Sequence, residues 1–168
     1  MGKDDKMLKE ELNIISQAIL NEVEGYEFYK MAASQAGNKE SQEAFMTLAN
    51  EELKHVEYLE VLFNKIKSED DDVKLAFEMD PPSPDIYNWK KLDKSQTSLA
   101  MSVFGIGIQM EKDSIEFYEN AKAKTQFEEA KKLYELLIKW ERVHLEQFTE
   151  QYDIYREDWW ADQGFAPF

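Results

Sequence analysis

The sequence predicts an all-α protein: an antiparallel four-helix bundle made of two helical hairpins joined by a long crossover. Three observations carry this. Apolar residues recur at alternating three- and four-residue spacings over four long stretches, the period of a helix face turned to a core. The pattern of the first two stretches returns 89 residues later in the last two. The only two histidines stand at matching points of that repeat, each three residues after a glutamate, in Glu52-Leu53-Lys54-His55 and Glu141-Arg142-Val143-His144.

The first helix is expected over about residues 7–36, with Leu8, Leu12, Ile15, Ile19, Glu22, Tyr26, Tyr29 and Ala33 as its inward stripe. Glu22 is the one member unsuited to a core. Gly37-Asn38 then breaks the helix, Gly as a left-handed residue past its end and Asn as the cap of the next. The second helix, about 39–67, has the stripe Phe45, Leu48, Glu52, His55, Leu59, Leu62 and Ile66, with two polar members in succession.

From about 68 to 96 the pattern fails. Ser-Glu-Asp-Asp-Asp is expected to cap a short helix through 73–77, and Pro81-Pro82-Ser83-Pro84 excludes helix beyond a first turn. Asp70, Asp71 and Asp72 lack EF-hand spacing and read as a cap in a solvated loop. A connection this long suits a crossover between the ends of a bundle. The third helix, about 97–123, repeats the first stripe in Thr97, Met101, Phe104, Ile108, Glu111, Ile115, Tyr118 and Lys122. Gly105 and Gly107 inside it each cost about 1 kcal/mol against Ala, which implies a close helix approach or a bulge. Thr125 and Glu128 form a capping-box pattern opening the fourth helix, about 126–156. Its stripe is Tyr134, Leu137, Glu141, His144, Phe148, Gln151 and Tyr155. An aromatic tail, 157–168, with Trp159 and Trp160, is expected to pack back on the bundle or on a second subunit. The whole chain, 1–168, reads as one domain.

The hairpin geometry brings six side chains together. Gly37 lies midway between Glu22 and Glu52, and Gln126 midway between Glu111 and Glu141. Each leg is then about 15 residues, or roughly 22 Å, so each lone Glu lies level with its ExxH pair. Two hairpins packed about a pseudo-twofold axis gather Glu22, Glu52, His55, Glu111, Glu141 and His144. Four buried carboxylates need countercharge, because desolvation costs several kcal/mol per ion. Two divalent cations supply it, and a carboxylate-rich set with one His per ion suits iron or manganese better than structural zinc. A single ExxH on a helix is a weak signal; its repetition in the same register carries the argument. Tyr26, Tyr29 and Tyr118 lie on the same face, where packing is the simplest role and hydrogen bonding to ligands or electron transfer a second.

Composition narrows the classes. The chain has no cysteine, which removes disulfides, thiol catalysis and cysteine-held iron. Its net charge of −15 disfavours nucleic acid and anionic membranes as partners. Neither a membrane-spanning apolar run nor a signal-peptide core is present, so a cytoplasmic location is expected.

The segments Ala18–Tyr29, Glu51–His55, Gly107–Tyr118 and Trp140–His144 resemble the rubrerythrin-like diiron proteins of the ferritin-like superfamily, with the same two-Glu, two-ExxH set as that class of bundle. The resemblance extends over nearly all of residues 8–156. It implies two iron ions, replaceable by manganese or zinc, held by those six residues. Glu52 and Glu141 would bridge, and the six together would form the catalytic centre. It implies two-electron reduction of hydrogen peroxide or dioxygen, an activity directed against oxidative stress. Two features depart from the family. Without cysteines there is no rubredoxin-type centre here, so an external electron-donor protein is expected. Ser114 stands where rubrerythrins carry a further glutamate, one turn after the third-helix ligand. Iron oxidation for storage or delivery, with Fe(II) as substrate, is the alternative, and a metal-stabilised interaction module the second. A homodimer is expected.

Overall fold

The structure, a computed structural model, describes residues 2–68 and 97–164. Four helices follow in order: α1 (Lys3–Gln35), α2 (Lys39–Ser68), α3 (Thr97–Lys124) and α4 (Glu128–Gln163). Among the described residues there is no strand, and no helix is long and apolar enough to cross a membrane. The expected crossover and its short helix over 73–77, with residues 165–168, fall outside the described residues.

The helices pair as α1 with α2 and α3 with α4, giving the two hairpins of a four-helix bundle. At the first turn, α1 ends on an extended Ala36 (φ −67°, ψ 134°). Asn38 caps α2 as expected: its Oδ1 accepts both the backbone N–H and the hydroxyl of Ser41, each at 2.8 Å.

The second turn differs from expectation. Thr125 does not cap α4; its hydroxyl oxygen accepts the N–H of Phe127 at 3.1 Å, and α4 begins at Glu128 with Phe127 in the capping position. Phe127 packs its ring against the core at this end of the bundle, which keeps the chain extended for two more residues. At the far end α4 outruns its expected limit at 156. No breaker intervenes before Gly164, whose φ of 74° ends the helix, so Trp159 and Trp160 belong to α4 rather than to a folded-back tail.

The core has two apolar layers with a polar layer between them. One is built on Tyr29, Phe45, Leu48, Phe104, Phe148 and Tyr155. The other centres on Ile15, Leu59, Leu62, Tyr118, Leu133 and Leu137. The α2 stripe is buried throughout. On α1 the buried line is rotated from the expected one. It shares Ile15, Glu22, Tyr29 and Ala33 but takes in Glu11, Ala18, Gly25 and Ala32, leaving Leu8, Leu12, Ile19 and Tyr26 only partly covered. Small side chains let the partner helix approach, so larger apolar neighbours are turned to the flank.

Candidate metal centre

All six expected side chains meet in the polar layer. Glu22, Glu52, Glu111 and Glu141 are each at most 5% exposed, and His55 and His144 are fully buried. Each comes from the middle of a long helix, where the backbone is held by its own hydrogen bonds and side-chain direction is set by register.

The donor atoms fall into two overlapping groups. Glu22, Glu52, His55 and Glu141 each present one donor atom, all within 4.8 Å of one another; Glu52, Glu111, Glu141 and His144 do the same. Glu52 and Glu141 are common to both, and the two imidazole rings lie stacked 6.1 Å apart. His55 Nδ1 faces Glu141 Oε1 at 3.0 Å, Glu22 Oε2 at 3.3 Å and Glu52 Oε2 at 3.9 Å. His144 Nδ1 faces Glu111 Oε1 at 3.3 Å, Glu141 Oε2 at 3.6 Å and Glu52 Oε1 at 4.0 Å. One ring nitrogen carries one proton and cannot serve three carboxylates.

The electrostatics show the same deficit. Burial, and then the Glu22 and Glu141 carboxylates, hold Glu52 well above the usual carboxylate range. Burial alone would push the His55 imidazole down, but Glu22 and Glu141 reverse this and lift it to about 10. Burial would likewise raise Glu141, yet His55 and His144 bring it down to about 2. No Lys or Arg is buried among the described residues. Both oxygens of Glu141 and Oε2 of Glu111 lack a hydrogen bond. A buried acceptor left unsatisfied costs about 1–3 kcal/mol, more when charged. Four carboxylates, two inward-facing imidazole nitrogens and unsatisfied oxygens fit a pair of divalent cations, each with one His and a share of two common carboxylates.

Surrounding residues set the orientation. Tyr118 donates its hydroxyl to Glu22 Oε1 at 2.6 Å, leaving Oε2 to face His55. Tyr29 is buried with its hydroxyl against Gly107, and Tyr26 packs at the edge of the apolar layer. Two contributors were not singled out from the sequence. Gly25 lies against the Glu52 carboxyl group, where a Cβ would come within 3.3 Å of Oε2. Its signal was its place one turn after Glu22. Trp140 sets its ring edge-on to His55 at 5.0 Å, and His55 Nε2 makes no hydrogen bond among the described residues. Trp140 directly precedes Glu141, which gave no hint of its direction. Ser114, one turn beyond Glu111, is partly buried.

The family model described as Rubrerythrin matches residues 13–152, most of the chain and every residue of the cluster. Comparison with curated proteins and with solved structures gives no match.

Proposed function

We propose that this chain, which belongs to the rubrerythrin family, holds two iron ions in the carboxylate–histidine cluster and reduces hydrogen peroxide or dioxygen by two electrons. The observation that carries this reading is the sharing of Glu52 and Glu141 between the two donor groups. Glu22 and His55 would complete one ion's ligands, Glu111 and His144 the other's. Iron bound there supplies the one-electron changes that, taken in pairs, convert peroxide to water.

The chain's own residues hold the geometry and control access. Register on four helices fixes the donor atoms, and the Tyr118 hydroxyl fixes the rotation of the Glu22 carboxyl group. The apolar layers above and below exclude bulk water, which strengthens every charge interaction inside. With no cysteine in the sequence, electrons would come from an external donor.

The test is metal content and near-ultraviolet absorbance of purified protein, before and after peroxide. About two irons per chain, with a new absorbance on oxidation and consumption of peroxide, supports the reading; failure to take up metal under any condition rejects it. A second reading, oxidation of Fe(II) for storage or delivery, is favoured by Ser114, which offers no mobile carboxylate beside Glu111. Storage requires a hollow shell of many subunits, so a dimer mass in solution argues against it.

A further inference from the structure

Among the described residues, two carboxylates outside the cluster are buried: Glu51, which faces Lys54 at 3.5 Å, and Glu11, which has no cation beside it. Glu11 is 4% exposed on α1, and Tyr134 of α4 donates its hydroxyl to Glu11 Oε1 at 2.6 Å. The Tyr134 ring is fully buried and stacks on Tyr118, with centroids 6.0 Å apart and planes 27° apart. Tyr118 in turn donates to Glu22 of the cluster. On its other side Glu11 lines a cavity of about 100 Å³ near the end of the bundle, with Met7, Glu10, Lys124 and Phe127. An unbroken line of aromatic rings and carboxylates thus leads from the polar layer towards the end of the bundle.

Packing does not account for this arrangement. Phenylalanine would fill the Tyr134 position, and burying a carboxylate to satisfy one phenol costs several kcal/mol. The pairing does meet one chemical demand. A phenol that loses an electron becomes a strong acid, so its proton must have an acceptor already in hydrogen-bond contact. Glu11 is such an acceptor, and the stacked Tyr118 ring lies between the phenol and the cluster.

We propose that Tyr134 is a redox-active residue that delivers single electrons through Tyr118 to the cluster, its phenolic proton passing to Glu11. This rests on the peroxide-reducing reading above. In each pass the Tyr134 O–H bond breaks, the proton forms a bond to a Glu11 oxygen, and one electron leaves the ring. A one-electron reductant of the ascorbate class then restores the phenoxyl: it returns an electron to the ring while Glu11 hands back the proton, and the reductant's own proton is released to solvent. Two passes give two electrons, and peroxide takes these with two protons from solvent to become two waters. The cavity beside Glu11 gives such a reductant a place to approach.

The test uses iron-loaded full-length protein mixed with peroxide, frozen within milliseconds and examined by electron paramagnetic resonance. Peroxide consumption and iron content are measured in parallel. The wild type is expected to give a tyrosyl radical, identified by narrowing on ring-deuterated tyrosine, which ascorbate quenches. Tyr134→Phe and Glu11→Gln are each expected to lower its yield at least several-fold while still binding two irons. Glu11→Gln keeps a hydrogen-bond acceptor of the same shape, so it isolates proton acceptance from packing. Peroxide consumed without a tyrosyl radical, or an equal yield in both variants, overturns this inference alone. Peroxide left untouched by iron-loaded protein overturns the proposed function and this inference with it.

Discussion

Glu141 reaches both histidines: Oε1 lies 3.0 Å from His55 Nδ1 and Oε2 lies 3.6 Å from His144 Nδ1. Glu22 belongs to only one of the two donor groups. Glu141→Ala is therefore expected to abolish binding of both ions. Glu22→Ala should leave one, held by Glu52, Glu111, Glu141 and His144. Metal analysis after equilibration with limiting free iron distinguishes them. Equal residual stoichiometry in the two variants contradicts the shared-ligand geometry.

Register makes a second contrast. Glu111 is 2% exposed within the cluster, whereas Glu116, five residues on along α3, is exposed. Glu111→Ala is expected to weaken metal affinity by more than the ~10–100-fold seen when only an outer partner of a ligand is lost. Glu116→Ala should change it less than about twofold, because exposed charges are screened by solvent and salt. Direct titration with Fe(II) or Mn(II) measures both.

Protonation of the cluster predicts how stability depends on pH without metal. His55 is lifted in the folded protein from 6.5 to about 10, so its contribution is fully present below about 6.5 and is lost as pH rises through 10. Glu52, raised by burial and its carboxylate neighbours, loses its contribution in the same direction as pH rises. Glu141, lowered from 4.5 to about 2, contributes above 4.5 and loses this only in acid, so it is constant across the neutral and alkaline window. Metal-free protein is thus expected to lose thermal stability steadily between pH 7 and 10. Metal must displace the His55 proton, so the gain in Tm on adding metal should grow over the same range. Melting curves with chelator and with metal at several pH values measure this; a metal-free Tm that rises with pH contradicts it.

How much of this was legible follows from what the sequence pattern encodes. Helical periodicity records which residues are inward, so Glu52, His55, Glu141 and His144, on stripes that are otherwise apolar, stood out. The repeat supplied Glu22 and Glu111 by register. Hairpin arithmetic gave their common height, because both legs rise equally per residue. Periodicity does not record how deeply a helix presses into its neighbour. On α1 that depth is set by Ala18, Gly25 and Ala32, and the buried line turned accordingly. Glu11 was missed for the same reason: it lies beside Leu12, which looked like the inward residue. The start of α4 was misplaced because Thr125 and Glu128 satisfy the capping-box spacing, while the packing of Phe127 decides where the helix begins.

The two glycines of α3 give a prediction in which local propensity and packing oppose each other. Both lie inside a continuous helix, so neither marks a bulge, and replacement by Ala gains about 1 kcal/mol of helix propensity at either site. At Gly105 an added Cβ would meet the Tyr152 ring at 3.4 Å, an ordinary contact. At Gly107 it would lie 3.0 Å from the Tyr29 hydroxyl and 3.2 Å from two carbons of the Phe148 ring. Phe148 is fully buried and stacks on His144 at 5.7 Å, so it cannot retreat without disturbing that imidazole. Overpacking of this kind costs about 1–3 kcal/mol, enough to cancel or exceed the gain. Gly105→Ala is therefore expected to stabilise the protein by up to about 1 kcal/mol. Gly107→Ala should be neutral to destabilising by about 2 kcal/mol, and Gly107→Val worse. Denaturant unfolding of metal-free protein reads the difference without interference from binding. Metal titration of the same variants should show weakened affinity for Gly107→Ala alone, because only that substitution presses on a ring against His144. Equal stabilisation at both positions would mean that the α1–α3–α4 contact at Gly107 is looser than its 3.0 Å clearance implies.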